Sequence, residues 1–238
     1  AKERQEPAAA AAGIASAPAV IPAKIERSSS VESDPRPLMV EIAHLLYERG
    51  LTNSAGGNMS CRAGERIYIT PRYLGSRHRW RLREEMVLVC DSEGRVVEGD
   101  PAMISRESKM HFACLRAFPE VNGVIHAHPR ELSVFAATGR PVYPITDYTE
   151  KYGVTEVVPY YPSHSDELAQ AVVEALRPRR AAFQKNGLGL ILAWHGVVVA
   201  GRDLADAYDT LERLEWCAHA NLMARLLGEG EPPFYRRG

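Results

Sequence analysis

At 238 residues the chain has the length of one large domain with a full buried core. A formal net charge of -1 gives no ground for nucleic acid or an acidic membrane surface as partner, and no run reaches the ~18–20 apolar residues of a membrane span. The cysteines Cys61, Cys90, Cys114 and Cys217 are scattered without a CxxC pair, which argues against a disulfide framework or a cysteine zinc site and fits free thiols in a cytoplasmic protein.

Residues 1–35 are dominated by alanine, proline and serine and show no apolar periodicity. They read as an N-terminal arm, either a disordered linker or a segment ordered along a neighbouring subunit. Its alanine run is too weakly hydrophobic for a signal-peptide core. A single folded domain is expected over 36–238. From Pro37 the pattern becomes helical, with Leu38, Ile42, Leu45 and Leu46 on one face and Gly50 at the end. "SAGGNMSCR" is a turn feeding a strand, "RIYIT" and "MVLVCD" read as strands, and "SEGR" is a hairpin turn into "VVEG". "ISRESKMHFACLRAF" is helical with Ser105 as N-cap, "GVIHAH" is a short buried strand, and "PRELSVFAATG" opens a helix on its proline. "SDELAQAVVEAL" is a helix capped by Ser165, "LGLILAWHGVVVAG" is two strands broken near His195–Gly196, and an amphipathic helix runs to Gly228. Strands and helices mix without a regular βαβ alternation. The expectation is α/β layers on a mostly antiparallel sheet.

The chemistry concentrates in "GVIHAH". Strand residues i and i+2 face the same way, so His126 and His128 project from one face about 6–7 Å apart along the backbone. Two imidazoles at that spacing can converge on one metal ion. His195 lies at a second strand end, beside a glycine that leaves room near the backbone. Three histidines with an open position form a catalytic zinc-type pattern, which suits manganese, iron or cobalt as well. Glu107, at a helix N-terminus, can alternate between ligand and general base. His111 follows one helical turn later, where packing is its simplest role, and His164 precedes the Ser165 cap in a loop.

The ordered motifs "GGNMSCR", "ITP", "SRESKMH", "VIHAHP" and "WHGVVVAG" resemble the class II aldolase/adducin family across roughly residues 37–228. The resemblance implies a three-layer α/β/α domain on a central, mostly antiparallel sheet, and a homotetramer with active sites between subunits. It places His126, His128 and His195 on one divalent metal ion per subunit, manganese or zinc first and cobalt or iron next. Glu107 becomes the acid/base residue, and Tyr148 the candidate for a catalytic tyrosine contributed across the interface. Gly57, Asn58, Thr70, Ser105 and Arg106 match the loops that hold substrate.

Two departures bear on the reaction. Sugar-phosphate members carry two small hydroxyl residues before the glutamate, where this chain has Ser105–Arg106. The loop after Thr70 is also basic, with Arg72, Arg77, His78, Arg79 and Arg81. Arginine recognises planar carboxylates as well as phosphate, and Tyr73, Trp80 and Tyr148 offer rings to an aromatic substrate. The expected partner is therefore a small anionic substrate. The expected reaction is decarboxylation of a hydroxy-aromatic or heteroaromatic (di)carboxylic acid through a metal-stabilised enolate. Aldol cleavage of a sugar phosphate or hydroxy-acid aldol is the alternative, and an adducin-like scaffold or an iron oxygenase are further ones.

Overall fold

Pro35 and Pro37 flank the start of the first helix, where a missing N–H costs nothing. This helix, α1, spans Arg36–Glu48 and buries Met39, Ile42, Ala43 and Leu46. The structure is a computed structural model that describes residues 34–228. The expected N-terminal arm thus lies outside the described residues, apart from Asp34 and Pro35.

Among the described residues eight strands follow: β1 (Asn58–Ala63), β2 (Arg66–Ile69), β3 (Leu88–Cys90), β4 (Val96–Glu98), β5 (Gly123–Ala127), β6 (Val157–Val158), β7 (Leu188–Leu192) and β8 (Gly196–Gly201). They form one sheet in the order β4-β3-β2-β1-β5-β8-β7-β6. Only β6 and β7 run parallel; the other neighbours are antiparallel. The further α-helices among the described residues are α2 (Leu74–His78), α3 (Ser108–Ala117), α4 (Arg130–Thr138), α5 (Asp147–Glu150), α6 (Asp166–Leu176) and α7 (Leu204–Leu226).

Side-chain alternation along the central strands separates two cores. Ile125, Ala127, Val197 and Val199 pack with α1, α4 and α7, while Val124, Val198 and Ala200 pack with α3 and α6. The expected three-layer arrangement follows from this period of two. His126 has the parity of Val124, so it points to the α3 side. Its pairing partners are Asn58 on β1 and Val198 on β8, and this register sets the site.

Two expectations need correction. Ser105 does not cap α3: the helix starts at Ser108, and the Ser105 hydroxyl instead accepts the Glu107 N–H at 3.3 Å. The segment after Thr70 contains α2 and is not a plain loop. Tyr73, Arg79 and Trp80 adopt left-handed φ there, held by Trp80, which is buried and donates its indole N–H to the Asn53 carbonyl at 3.0 Å. Among the described residues, no helix is long and apolar enough to cross a membrane.

Candidate metal centre

β5 ends at Ala127 and β8 begins at Gly196, with Ala127 paired to Val197. This pairing places His128, one residue past β5, beside His195, one residue before β8. The His126 ring centroid lies 4.8 Å from that of His128 and 4.6 Å from that of His195. One ligand nitrogen from each histidine falls within 4.8 Å of the others.

Hydrogen bonding selects the lone pairs. His126 is fully buried and donates Nδ1–H to the Val197 carbonyl at 2.8 Å, so Nε2 is left as the free base. The contact of that nitrogen with Glu107 Oε2, at 3.1 Å, lacks hydrogen-bond alignment. Both nitrogens of His128, and Nδ1 of His195, are buried without hydrogen-bond partners among the described residues. Unpaired buried imidazole nitrogens are costly in a protein alone, but they are what a divalent cation requires. The residues fit a metal ion.

Gly196 makes the cluster possible. A β-carbon there would lie 2.4 Å from Cδ2 of His128 and 2.6 Å from the Ala127 carbonyl. The room expected beside His195 is therefore taken by the His128 ring.

Glu107, at the N-cap of α3, reaches the same cluster, with Oε1 3.0 Å from Nε2 of His195. Burial alone would raise its carboxyl, but His126 and His195 outweigh burial and hold it below the usual carboxylate range. Burial would likewise lower His126, and Glu107 reverses that and raises it. Burial, then the charges of His126 and His195, depress His128 to about 3, which leaves it neutral and able to ligate.

A cleft of about 560 Å³ opens over these groups, and Gly57, Asn58, Ser105, Arg106, Glu107, His128 and His195 line it. Two expected residues stand apart. Thr70 is fully buried, and its hydroxyl accepts the Met59 N–H and donates to the Met59 carbonyl, so it braces the sheet end and does not reach the cleft. Tyr148 is 44% exposed on α5 and is not among the lining residues of its own chain's cleft. Of the basic residues after Thr70, Arg72 lines the cleft, whereas Arg77, Arg79 and Arg81 are exposed. Trp80 belongs to the core and offers no face to a substrate.

His164 joins the lining although its sequence context suggested an ordinary loop. It has φ +71, its Nδ1 is buried without a hydrogen-bond partner among the described residues, and that atom lies 3.8 Å from Glu107 Oε1. The only signal in the sequence was a histidine next to a helix cap.

The Class II Aldolase and Adducin N-terminal domain model matches residues 38–222. The chain belongs to this family. A 3-oxo-tetronate 4-phosphate decarboxylase from Haemophilus influenzae is 34% identical over 187 residues, covering 75% of this chain and 82% of that protein. An L-fuculose phosphate aldolase from Methanococcus maripaludis is 32% identical over 194 residues, covering 80% and 97%. Among solved structures, an L-fuculose 1-phosphate aldolase superimposes with a TM-score of 0.72 at 26% identity, covering 84% of this chain and 90% of that one. As a class II aldolase-family chain, the protein carries its three-histidine cluster on the shared fold.

Proposed function

We propose that the protein is a divalent-metal-dependent carbon–carbon lyase that decarboxylates a small hydroxy- or oxo-acid carrying a second anionic group. Arg106 is the observation that carries this reading. It is a cation next to Glu107 at the cleft wall, in the place where the family resemblance leads one to expect a hydroxyl. Its guanidinium suits a planar carboxylate, and Ser105 beside it retains one hydroxyl for an anion. Arg72 lines the same cleft, so two anionic groups can be matched. The decarboxylase relative, named for a phosphorylated oxo-acid, supports this charge pattern.

His126, His128 and His195 would hold a divalent cation, which would supply Lewis acidity for breaking a carbon–carbon bond. Manganese or zinc suit three imidazoles, and cobalt or iron use the same donors. The protein residues do the rest. Glu107 Oε1 lies beside His195 and His164; the ionised carboxylate takes up a proton from substrate or solvent there and passes it to the carbon that has lost carbon dioxide. Asn58 donates to Oε2 at 2.9 Å and keeps the carboxylate aimed. Ser105 and Arg106 hold the anion, and Gly56 and Gly57 line the same cleft.

The hydroxy-aromatic acid expected from the sequence is the finer form of this proposal. Trp80 is buried, and the guanidiniums of Arg72 and Arg77 lie over the Tyr73 ring, 4.6 and 4.3 Å from its centroid. A cytoplasmic homotetramer completes the proposal. The exposure of Tyr148 on α5 suits a role in a neighbouring subunit's site. Aldol cleavage of a sugar phosphate is the second reading, supported by Asn58 and Ser105 in the cleft and by the aldolase relatives.

The test is parallel assay of carbon dioxide and aldehyde release by manganese- and zinc-loaded protein. Phosphorylated oxo-acids, hydroxy-aromatic acids and ketose phosphates are the substrates to offer. Carbon dioxide without aldehyde is expected; aldehyde from a ketose phosphate with no carbon dioxide from any acid would overturn the decarboxylase reading.

A further inference from the structure

We infer that His111 is a positioning residue for Glu107, acting through Asn58, and that it thereby assigns different tasks to the two carboxylate oxygens. The inference rests on the lyase reading in one respect, that Glu107 is the acid/base group.

Four buried polar side chains form one connected chain. Ser60 Oγ lies 2.8 Å from Nδ1 of His111, Nε2 of His111 contacts Asn58 Oδ1, and Asn58 Nδ2 donates to Glu107 Oε2 at 2.9 Å. Their exposures are 0% for Ser60 and His111, 4% for Asn58 and 7% for Glu107, so water cannot substitute for a missing link. Two secondary-structure rules bring them together. Asn58 and Ser60 stand two apart on β1 and face the same side, while Glu107 and His111 stand one helical turn apart at the start of α3.

The polarity of the chain follows from what each group can do. An ionised Glu107 only accepts, so Asn58 turns its amide nitrogen toward Oε2. Its Oδ1 then faces His111 and also only accepts, so His111 must carry its proton on Nε2. The neutral ring accepts the Ser60 hydroxyl at Nδ1. Burial, foremost, depresses His111 to about 3, so this tautomer persists at neutral pH. A flipped Asn58 amide would set a carbonyl against a carboxylate and an N–H against an N–H, both without solvent.

This arrangement holds Oε2 as a permanent acceptor. Oε1 has no hydrogen-bond partner among the described residues and faces His195 and His164. Oε1 is therefore the oxygen that carries the transferred proton. Any buried histidine needs a partner at each nitrogen; what sets His111 apart is that its Nε2 partner, Asn58, is the group that holds Glu107.

The test uses the zinc-loaded full chain. In 15N-histidine spectra of the wild type, His111 should be the Nε2–H tautomer. H111F should keep full zinc content and a KM within about twofold of wild type while kcat falls about 10–100-fold, the usual cost of removing such a supporting group. H111Q, which can still donate to Asn58, should recover most of that loss. A folded, zinc-replete H111F with wild-type kcat overturns the inference, as does an Nδ1–H tautomer at His111. The tautomer is read on the wild type, so it decides even where a variant does not fold. If the wild type turns over none of the acids or sugar phosphates, the lyase reading fails, and the tautomer still reports on the positioning chain.

Discussion

Gly196 and His128 are packed so closely that no other residue fits at 196: a β-carbon would lie 2.4 Å from Cδ2 of the imidazole and 2.6 Å from the Ala127 carbonyl. The ring must move, and the clash with the Ala127 carbonyl strains the pairing of β5 with β8 as well. G196A should displace His128 and weaken metal affinity about 10–100-fold. Metal titration followed by calorimetry checks this; unchanged zinc affinity would mean that His128 is not a ligand.

Glu107 is close to two of the histidines but is assigned to proton transfer. E107Q keeps the shape and the contact with Asn58 while losing the exchangeable proton. Metal content should stay at the wild-type level, and turnover should fall about 10²–10⁴-fold. Loss of the metal in E107Q would reassign the residue as a ligand, and unchanged turnover would remove it from the reaction.

His164 holds a backbone conformation that glycine adopts freely, with φ +71. Strain of this kind costs about 1 kcal/mol or more and tends to persist where function needs it. H164G should therefore raise the melting temperature while lowering kcat/KM. A variant that is stabilised and fully active would show that His164 takes no part in the reaction.

His111 also shapes the acid stability of the fold. Its folded value of about 3 lies below the ordinary 6.5, so the unfolded chain binds the additional proton. The contribution is fully present above about pH 6.5 and is lost as pH falls toward 3, on the order of a few kcal/mol in total. Urea unfolding between pH 7 and pH 4 should show a shallower decline for H111F than for wild type. Parallel curves would place the titrating group elsewhere.

Removing the metal should cost stability as well as activity. A cation that binds only the folded chain stabilises it by about 2.7 kcal/mol at a concentration of 100 Kd. Chelation should lower the melting temperature, and manganese or zinc should restore it. H126A should abolish that metal-dependent shift.

The Tyr148 assignment, the tetramer and the substrate share one feature: each depends on atoms outside a single chain. Within the chain, much of the design was already legible. The layered fold followed from apolar periods of two and 3.6, which are local properties of a sequence. The HxH spacing placed two imidazoles on one side of a strand end, and the breaker at His195–Gly196 put a third at another. Glu107 stood out because it opens a helix within an ordered set of motifs.

What escaped the sequence were contacts set by register and by backbone hand. The pairing of Asn58 with His126 brings Asn58 to Glu107, and no spacing along the chain encodes it. Trp80 looked like a substrate platform, yet left-handed φ at Arg79 and Trp80 turns the indole into the core. Thr70 looked like a loop hydroxyl, yet the adjacent backbone of Met59 satisfies it. His164 has a left-handed turn to thank for its place in the cleft. Sequence by itself therefore determined the fold class and the candidate ligands, because periodicity and short spacing act over a few residues. Only the tertiary structure decided which polar groups share buried space, because hydrogen-bond partners are chosen by distance in the folded chain.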